Sequence, residues 1–348
     1  MRYSGKNPRR FEDKYKETNP ERYAETVAKV IASGKTPAGT HRPIMVAEIL
    51  QVLAPQPGEI AADCTLGYGG HAQEILKRIL PGGKLLGLDA DPIELPKTEA
   101  RLRQLGFGTE VFTPYRSNYA GLPQVLAANN VTGAEVILAD LGVSSMQIDD
   151  PARGFSMKHT GPLDMRMNPQ RGQPASAFLE KIAADALAEL LAENSDEPNA
   201  LKLAAALAGK KFITTTELAG AIRGALPHLS REDASLTERR VFQALRIAVN
   251  DEFSALETFL RQLPSCLHPG GRAALLTFHS GEDRRVKKSL EAGLRDGVYA
   301  EISGVTRAGA EERRANPRCA AAKLRWARKT GMKPEPPGRV RLGEPHCR

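Results

Sequence analysis

The sequence is short of the features that staple or anchor a protein. Its four cysteines (Cys64, Cys266, Cys319, Cys347) lie far apart in 348 residues and form no CxxC pair, which argues against a zinc ribbon and against a disulfide framework. No cluster of metal-ligand residues is visible, so no metal is expected. No apolar run approaches the length that a bilayer-spanning helix needs, about 20 residues, so no transmembrane helix is expected. The start, Met1 to Glu17, is charged and lacks an apolar core, so no secretory signal is read and a cytoplasmic protein is the expectation. There is no internal repeat and no low-complexity tract. What is present is an ordinary globular mix, 41% hydrophobic and 26% charged, which excludes a wholly disordered chain. At roughly 150 residues per domain the length predicts about two domains.

The net charge of +8 is uneven. Residues 1–40 carry nine Lys/Arg against five Asp/Glu, and residues 307–348 carry twelve against four, so the body between them is mildly acidic. Basic ends with interspersed aromatics (Tyr3, Phe11, Tyr15, Tyr23, Trp326) suit a phosphate backbone, although a solubilising tail explains the charge as well.

From residue 41 the pattern alternates between helix and strand. A helix is predicted over 44–53 and strands over 59–64, 84–89, 109–113 and 135–140, with helices at 72–80, 92–105 and 120–128 between them. Such alternation predicts a parallel, doubly wound α/β sheet. It then stops. Residues 141–175 are rich in glycine and proline, and helices follow at 176–193, 198–210, 216–226 (capped by Thr215 or Thr216) and, as one long stretch, 237–263. The turn Leu267-His-Pro-Gly-Gly-Arg272 leads into a fifth strand at 273–278 and a helix at 282–294. The expected division is a basic extension (1–40), an α/β domain from 41–145 and 245–330, a helical insert (146–244) for substrate recognition and a basic tail (331–348).

Gly67-Tyr-Gly69-Gly70-His-Ala72, between the first strand and its helix, fits GxGxxA. Asp89 ends the second strand, at the spacing of about 20 residues from the loop that a ribose-binding acid occupies. A glycine loop lets backbone N–H groups approach a ligand, and the acid can accept from an adenosine ribose. Nicotinamide dinucleotide and S-adenosylmethionine (SAM) folds share this pair, and tight turns with a surface acid are the plain alternative. The acid that ends the fourth strand, Asp140, and the Leu-x-Pro-Gly-Gly turn before the fifth favour SAM over a nicotinamide oxidoreductase.

These residues resemble one family, the ribosomal RNA small-subunit methyltransferase H family, cytosine-N4 methyltransferases of 16S rRNA. The resemblance runs through His41-Arg-Pro-Ile, Thr65-Leu-Gly-Tyr-Gly-Gly-His71, Leu88-Asp89-Ala-Asp91-Pro92, Asp140-Leu-Gly-Val-Ser-Ser145, Gln147-Ile-Asp-Asp150 and Arg153-Gly-Phe-Ser156. It continues in Gly161-Pro-Leu-Asp-Met-Arg-Met167, Phe242-Gln-Ala-Leu-Arg-Ile247, Phe278-His-Ser280, Asn316-Pro-Arg318 and Lys323-Leu-Arg325. It implies a class I SAM-dependent methyltransferase fold with a helical insertion. It implies SAM as methyl donor, 16S rRNA or the small ribosomal subunit as partner, and SAM contacts at Gly67, Gly69, Gly70, His71, Asp89, Tyr119, Asp140 and Gln147. The chain departs from the family pattern at Ser144-Ser-Met-Gln147, Phe278-His-Ser-Gly-Glu-Asp-Arg284 and Leu236-Thr-Glu-Arg-Arg-Val-Phe-Gln243, and the usual pattern has no counterpart to the basic extension. A divergent relative acting on another RNA nucleotide, or an RNA-binding assembly factor without catalysis, are the alternatives.

The chemistry sets the roles. An exocyclic amine is a weak nucleophile because its lone pair is delocalised, so the protein must align it with an activated methyl group and accept the charge that develops. Asp140 is the expected acceptor; orienting SAM or capping the turn is its other reading. Ser144 and Ser145 either bond the base or cap the loop. Arg153, Asp164 and Arg166 are expected to hold the loop around the target base, through phosphate or by pairing within the loop. His279 could reach the pocket, or pack as a satisfied core residue. His71 is a base by type, but its place in the glycine loop favours a cofactor contact. Methylation at carbon 5 would require a cysteine nucleophile, and Cys64, within a strand, does not suit it.

Overall fold

The computed structural model describes residues 43–331; the basic extension, all of the basic tail but Gly331, and with them His41, Arg42 and Cys347 lie outside the described residues. After α1 (Val46–Leu53), strand and helix alternate as β1 (Ile60–Asp63), α2 (Gly70–Ile79), β2 (Lys84–Asp89), α3 (Glu94–Gln104), β3 (Phe112–Arg116), α4 (Leu122–Ala128) and β4 (Ala134–Asp140). β3 lies slightly later in the chain than expected. With β5 (Leu267–Thr277), β6 (Tyr299–Ile302) and β7 (Lys323–Lys329), the sheet order is β3-β2-β1-β4-β5-β7-β6. Strands β1 to β5 run parallel, with Ala62 beside both Leu86 and Ile137. The order reverses between β1 and β4, and in open α/β sheets ligands bind in the crevice at that switch point, beyond the C-terminal strand ends. This is the doubly wound α/β fold that the alternation predicts.

Strand burial is near-continuous in β1, β2 and β4, as in sheets covered on both faces. On one face Leu86, Leu88, Ile137 and Leu275 pack against Leu256, Phe259 and Val286; on the other Leu85, Val136, Leu138 and Leu276 pack against Ile49, Ile75 and Leu76. A third core lies in the residues between β4 and β5, built from Leu163, Met165, Leu179, Leu191, Leu203, Leu218, Ile222 and Leu245.

The helical region is more broken than its periodicity suggests. The stretch expected as one helix at 176–193 is α6 (Ala175–Lys181) and α7 (Ala184–Ser195), separated by extended backbone at Ile182 and Ala183, with no glycine or proline to mark the break. After α8 (Ala200–Leu207), α9 (Thr215–Ala225) is capped not by Thr215 or Thr216 but by Thr214, in a capping box with Glu217, the residue three positions on. The long helix at 237–263 is α10 (Arg231–Asn250) and α11 (Glu252–Cys266). Asp251 sits between them in left-handed conformation (φ 50°), which an Asx residue tolerates.

The C-terminal part departs most. β5 (Leu267–Thr277) starts within the expected turn, and α12 (Ser280–Arg295) follows. Then β6 (Tyr299–Ile302), a short α13 (Ala310–Ala315) and an antiparallel β7 (Lys323–Lys329) complete the sheet. β7 falls in the cation-rich stretch 307–348, whose charge and Trp326 are expected from the sequence to suit a phosphate backbone, but the sheet uses its cations internally. Lys323 and Arg325 pair with Asp283, Arg328 pairs with Glu301, and Trp326 packs against the second core. Trp326 and these cations are therefore engaged within the fold rather than free for a phosphate backbone.

Candidate active site

Three strands end in carboxylates at the switch point: Asp63 on β1, Asp89 on β2 and Asp140 on β4. The chain between β1 and α2 closes around them. The Leu66 N–H bonds the Leu88 carbonyl, and the Gly67 N–H donates to Asp89 Oδ2 at 2.8 Å. Gly67 (φ 49°) and Gly69 (φ 78°) take left-handed conformations that let α2 start at once. A Cβ at Gly67 would meet nothing closer than the Thr65 carbonyl at 3.7 Å, so its open side is ligand space; a Cβ at Gly70 would strike Pro43 at 2.9 Å.

A cleft of about 820 Å³ opens here, within the range of about 300–1,000 Å³ common for small-molecule sites. Gly67, Gly69, Gly70, His71, Asp89, Tyr119, Asp140, Ser144 and Gln147 all line it. Tyr119 rests its ring 5.6 Å from Phe259 and donates its hydroxyl to the Glu252 carbonyl at 3.0 Å, so the ring stands fixed at one wall. Burial holds that phenol well above its usual pKa.

Electrostatically the floor is crowded with acid. Burial pushes the Asp89 carboxyl up to about 6, against the two backbone N–H groups that favour its charge. Burial likewise carries Asp63 to about 6. Asp140 is pushed up to about 7, by burial first and then by the Glu282 carboxylate. Asp140 donates its N–H to Thr65 Oγ1 at 2.6 Å, while its side-chain Oδ1 is buried with no hydrogen-bond partner among the described residues. Cys64 lines the same cleft, but burial and Asp63 keep it a thiol far above its normal pKa, which agrees with its exclusion as a nucleophile.

The far wall is the loop before α6. Its form depends on a buried clamp. Asp91 Oδ2 accepts from Gln147 Nε2 at 2.7 Å and from Arg153 Nη1 at 2.8 Å, and Arg153 Nη2 donates to the carbonyls of Arg166 and Met167. Met165 is held in left-handed conformation (φ 64°) between Arg153 and Asn250, and Arg166, Met167, Asn168 and Arg171 are thereby turned to the cleft.

The expected substrate contacts separate accordingly. Arg153 is only 8% exposed and does not line the cleft; of its two expected roles the geometry has pairing within the protein, because Asp91 and two carbonyls use its guanidinium. Asp164 also faces away, in a two-point ion pair with Arg166 (2.7 and 2.8 Å) that holds its carboxyl below its usual range against the effect of burial. Ser144 forms a capping box with Gln147 at α5 (Ser145–Asp149), so its hydroxyl is engaged with the helix, and Ser145 is the first residue of that helix. His279 lies outside the cleft lining. It caps α12, accepting from the Glu282 N–H, and packs 5.8 Å from Phe253.

Several residues that line or support the site do not stand out in the sequence. Asp63 ends a strand whose last residues look merely buried. Arg246 falls in the Phe242–Ile247 stretch; burial opposes its charge, but Glu252, through a two-point pair at 2.8 Å, and Glu282 hold it above its ordinary pKa. Asn250 bonds Met167 and Met165 of the loop. No group of three or more His, Cys, Asp or Glu suited to a metal occurs among the described residues.

The site fits an adenosyl sulfonium ligand on three counts: open space at Gly67, spare lone pairs on Asp89, whose two oxygens each accept one backbone N–H, and an unpartnered carboxylate oxygen at Asp140 where a cation would be welcome.

Comparison with known proteins gives the same direction. A sequence profile of the MraW methylase family matches residues 38–330. The chain is 50% identical to Ribosomal RNA small subunit methyltransferase H 2 of Alkaliphilus metalliredigens, over 94% of this chain and 96% of that one. It is 47% identical to Ribosomal RNA small subunit methyltransferase H 1 of Agathobacter rectalis, with the same coverage. Ninety-four per cent exceeds the share of the chain beyond residue 40, so part of the N-terminal extension has a counterpart in these relatives. Among solved structures, a putative rRNA-methylase from Clostridium thermocellum matches at 10% identity and a TM-score of 0.42, covering 84% of this chain and 99% of that one.

Proposed function

The chain belongs to the MraW methylase family, and from that premise we propose that it transfers a methyl group from SAM to the exocyclic N4 amine of a cytosine in 16S rRNA, in the cytoplasm. The observation that carries the reading is Asp140: a carboxylate with one unpartnered oxygen, at the switch point of the sheet, beside a glycine loop and the ribose-type acid Asp89.

SAM supplies an electrophilic methyl on a sulfonium. Asp89 would hold the ribose hydroxyls, Tyr119 would cover the adenine, and the backbone at Gly67, Gly69 and Gly70 would admit the ligand closely. The Asp140 carboxylate, with the buried Asp63 beside it, would favour the positive charge. The target base enters from the Arg166–Arg171 side, where the exposed Arg171 suits a phosphate. A base in this cleft must be unpaired or flipped out. Asp140 then accepts from the amine as charge develops on its nitrogen. Arg153 and Gln147 act through Asp91 on the walls of the cleft, while Ser144 and His279 shape helix starts.

The test is nucleoside-resolved mass spectrometry of 16S rRNA from cells with and without the gene. Loss of N4-methylcytidine at a decoding-centre cytosine on deletion is the expected result. Loss of a different methyl mark would assign another nucleotide, and no change in any mark would favour a non-catalytic assembly factor.

A further inference from the structure

Asp140 faces the cleft, where a bound base would cover it, and its Oδ1 is buried with no hydrogen-bond partner among the described residues. Behind it stands His71, 8% exposed. His71 Nε2 lies 2.9 Å from the Ile44 carbonyl. A carbonyl oxygen can only accept, so Nε2 carries the hydrogen, and Nδ1 of the neutral ring is left as a bare lone pair. Nδ1 lies 3.6 Å from Asp140 Oδ2. Among the described residues neither atom makes another hydrogen bond, so the pair of acceptors has room for one proton between them.

On the reading of Asp140 as acceptor, we infer that His71 and Asp140 form a proton-transfer dyad, in which His71 Nδ1 receives the proton that Asp140 takes from the methylated amine. The amine lone pair forms the new nitrogen–carbon bond, and the electrons of the methyl–sulfur bond stay on sulfur. The nitrogen is left cationic; one of its N–H bonds breaks with its pair kept on nitrogen, and the proton passes to Asp140 and then to Nδ1. The imidazolium afterwards returns it to solvent. No electron transfer and no further reactant are required.

The surroundings suit such a transfer. His71 is faced by Asp63 from β1, by Asp140 from β4, by the Ile44 carbonyl ahead of α1 and by Glu312 from α13, which is itself bonded to the Met45 N–H. Asp140 is faced by Glu282 from α12 and by Asp63 and His71. Burial favours the neutral form of both groups, lowering the pKa of His71 and raising that of Asp140 to about 7. Asp140 keeps 26% of its side-chain surface open, so the route from the cleft runs through it. Catalytic hydrogen bonds in ligand-free sites are often long and tighten in the complex.

The test uses the full chain with 15N-labelled histidine, His71 being identified by the signal lost in His71→Gln. Nuclear magnetic resonance on the wild type, without RNA, is expected to find the Nε2–H tautomer, with Nδ1 titrating at a pH that falls in Asp140→Asn. An Nδ1–H tautomer overturns the dyad, whatever the enzyme's activity. His71→Gln keeps an amide donor for the Ile44 carbonyl and removes the ring nitrogen that takes up a proton. With general acid–base groups contributing about 10²–10⁴-fold, loss of this secondary acceptor is expected to lower kcat by about tenfold or more, displace the acid limb of the kcat profile and leave the KM for SAM within about threefold. An unchanged kcat and pH profile overturns the proposal. A wild-type protein that methylates no rRNA would instead overturn the function proposed above, and the tautomer result would stand apart from it.

Discussion

Asp140 shows how much one residue's surroundings decide. Its identity as an acid at a strand end is written in the sequence, but its character comes from burial, the Glu282 charge and an oxygen left without a donor. Asp140→Asn keeps the shape and removes the carboxylate that can take a proton. Loss of at least about 10²-fold in kcat is expected, with the dissociation constant for SAM changed less than about tenfold, as measured by methyl transfer and by calorimetry. Equal losses in both would make Asp140 a cofactor ligand only. The glycine loop and Asp89 were legible because their requirement is local: a positive φ at Gly67 and Gly69 and a carboxylate at the end of the next strand. The partners of Arg153 and His279 were not legible, because they lie on elements remote in sequence or depend on a cap.

At the scale of elements, the clamp Asp91–Gln147–Arg153 joins the end of β2 to the loop that faces the cleft. Asp91 is 1% exposed, so removing its cation leaves a buried charge unpaired. Arg153→Met is expected to cost about 3–5 kcal/mol, and Asp91→Asn combined with Arg153→Met clearly less than the sum of the single changes. Urea unfolding of the three variants checks this; strict additivity would mean that the pair does not act as a unit. The same substitution frees the carbonyls of Arg166 and Met167, so the wall of the cleft loosens with it. The strands β1, β2 and β4 were readable as apolar runs, whereas β7 was not. Its cations satisfy Asp283 and Glu301, a compensation visible only once the strands are adjacent. The breaks at Ile182 and Asp251 likewise lack glycine or proline, and helical periodicity runs through them unmarked.

At the scale of the whole molecule the acidic floor makes stability depend on pH. Asp63, Asp89 and Asp140 hold their protons to about 6, 6 and 7 when folded, whereas an unfolded aspartate releases its proton near about 3.9. Between those values the native state binds more protons, so these groups lower stability progressively as pH rises from about 4 through about 7. Asp164, Asp196 and Asp283, held below their usual range by arginine and lysine partners, act oppositely, and their contribution is lost only as pH falls below about 4. Denaturation midpoints are therefore expected to decline from pH 5 to pH 8, and less steeply in Asp140→Asn. His71, whose pKa burial lowers, acts in the opposite sense, and a midpoint that rises over this interval would show that the three acids do not dominate the pH dependence.

The sequence by itself determined the doubly wound sheet, the glycine loop, the acids that end β2 and β4 and the membership in a methyltransferase family, because each rests on short-range patterning or on motifs kept in order along the chain. Tertiary structure decided what those residues face. It placed Asp63, His71 and Asp140 around one cleft floor, turned Arg153 inward to Asp91, and drew a cation-rich C-terminal segment into the sheet. Burial and charge pairing act through space, and no spacing along the chain encodes which carboxylate is left without a partner.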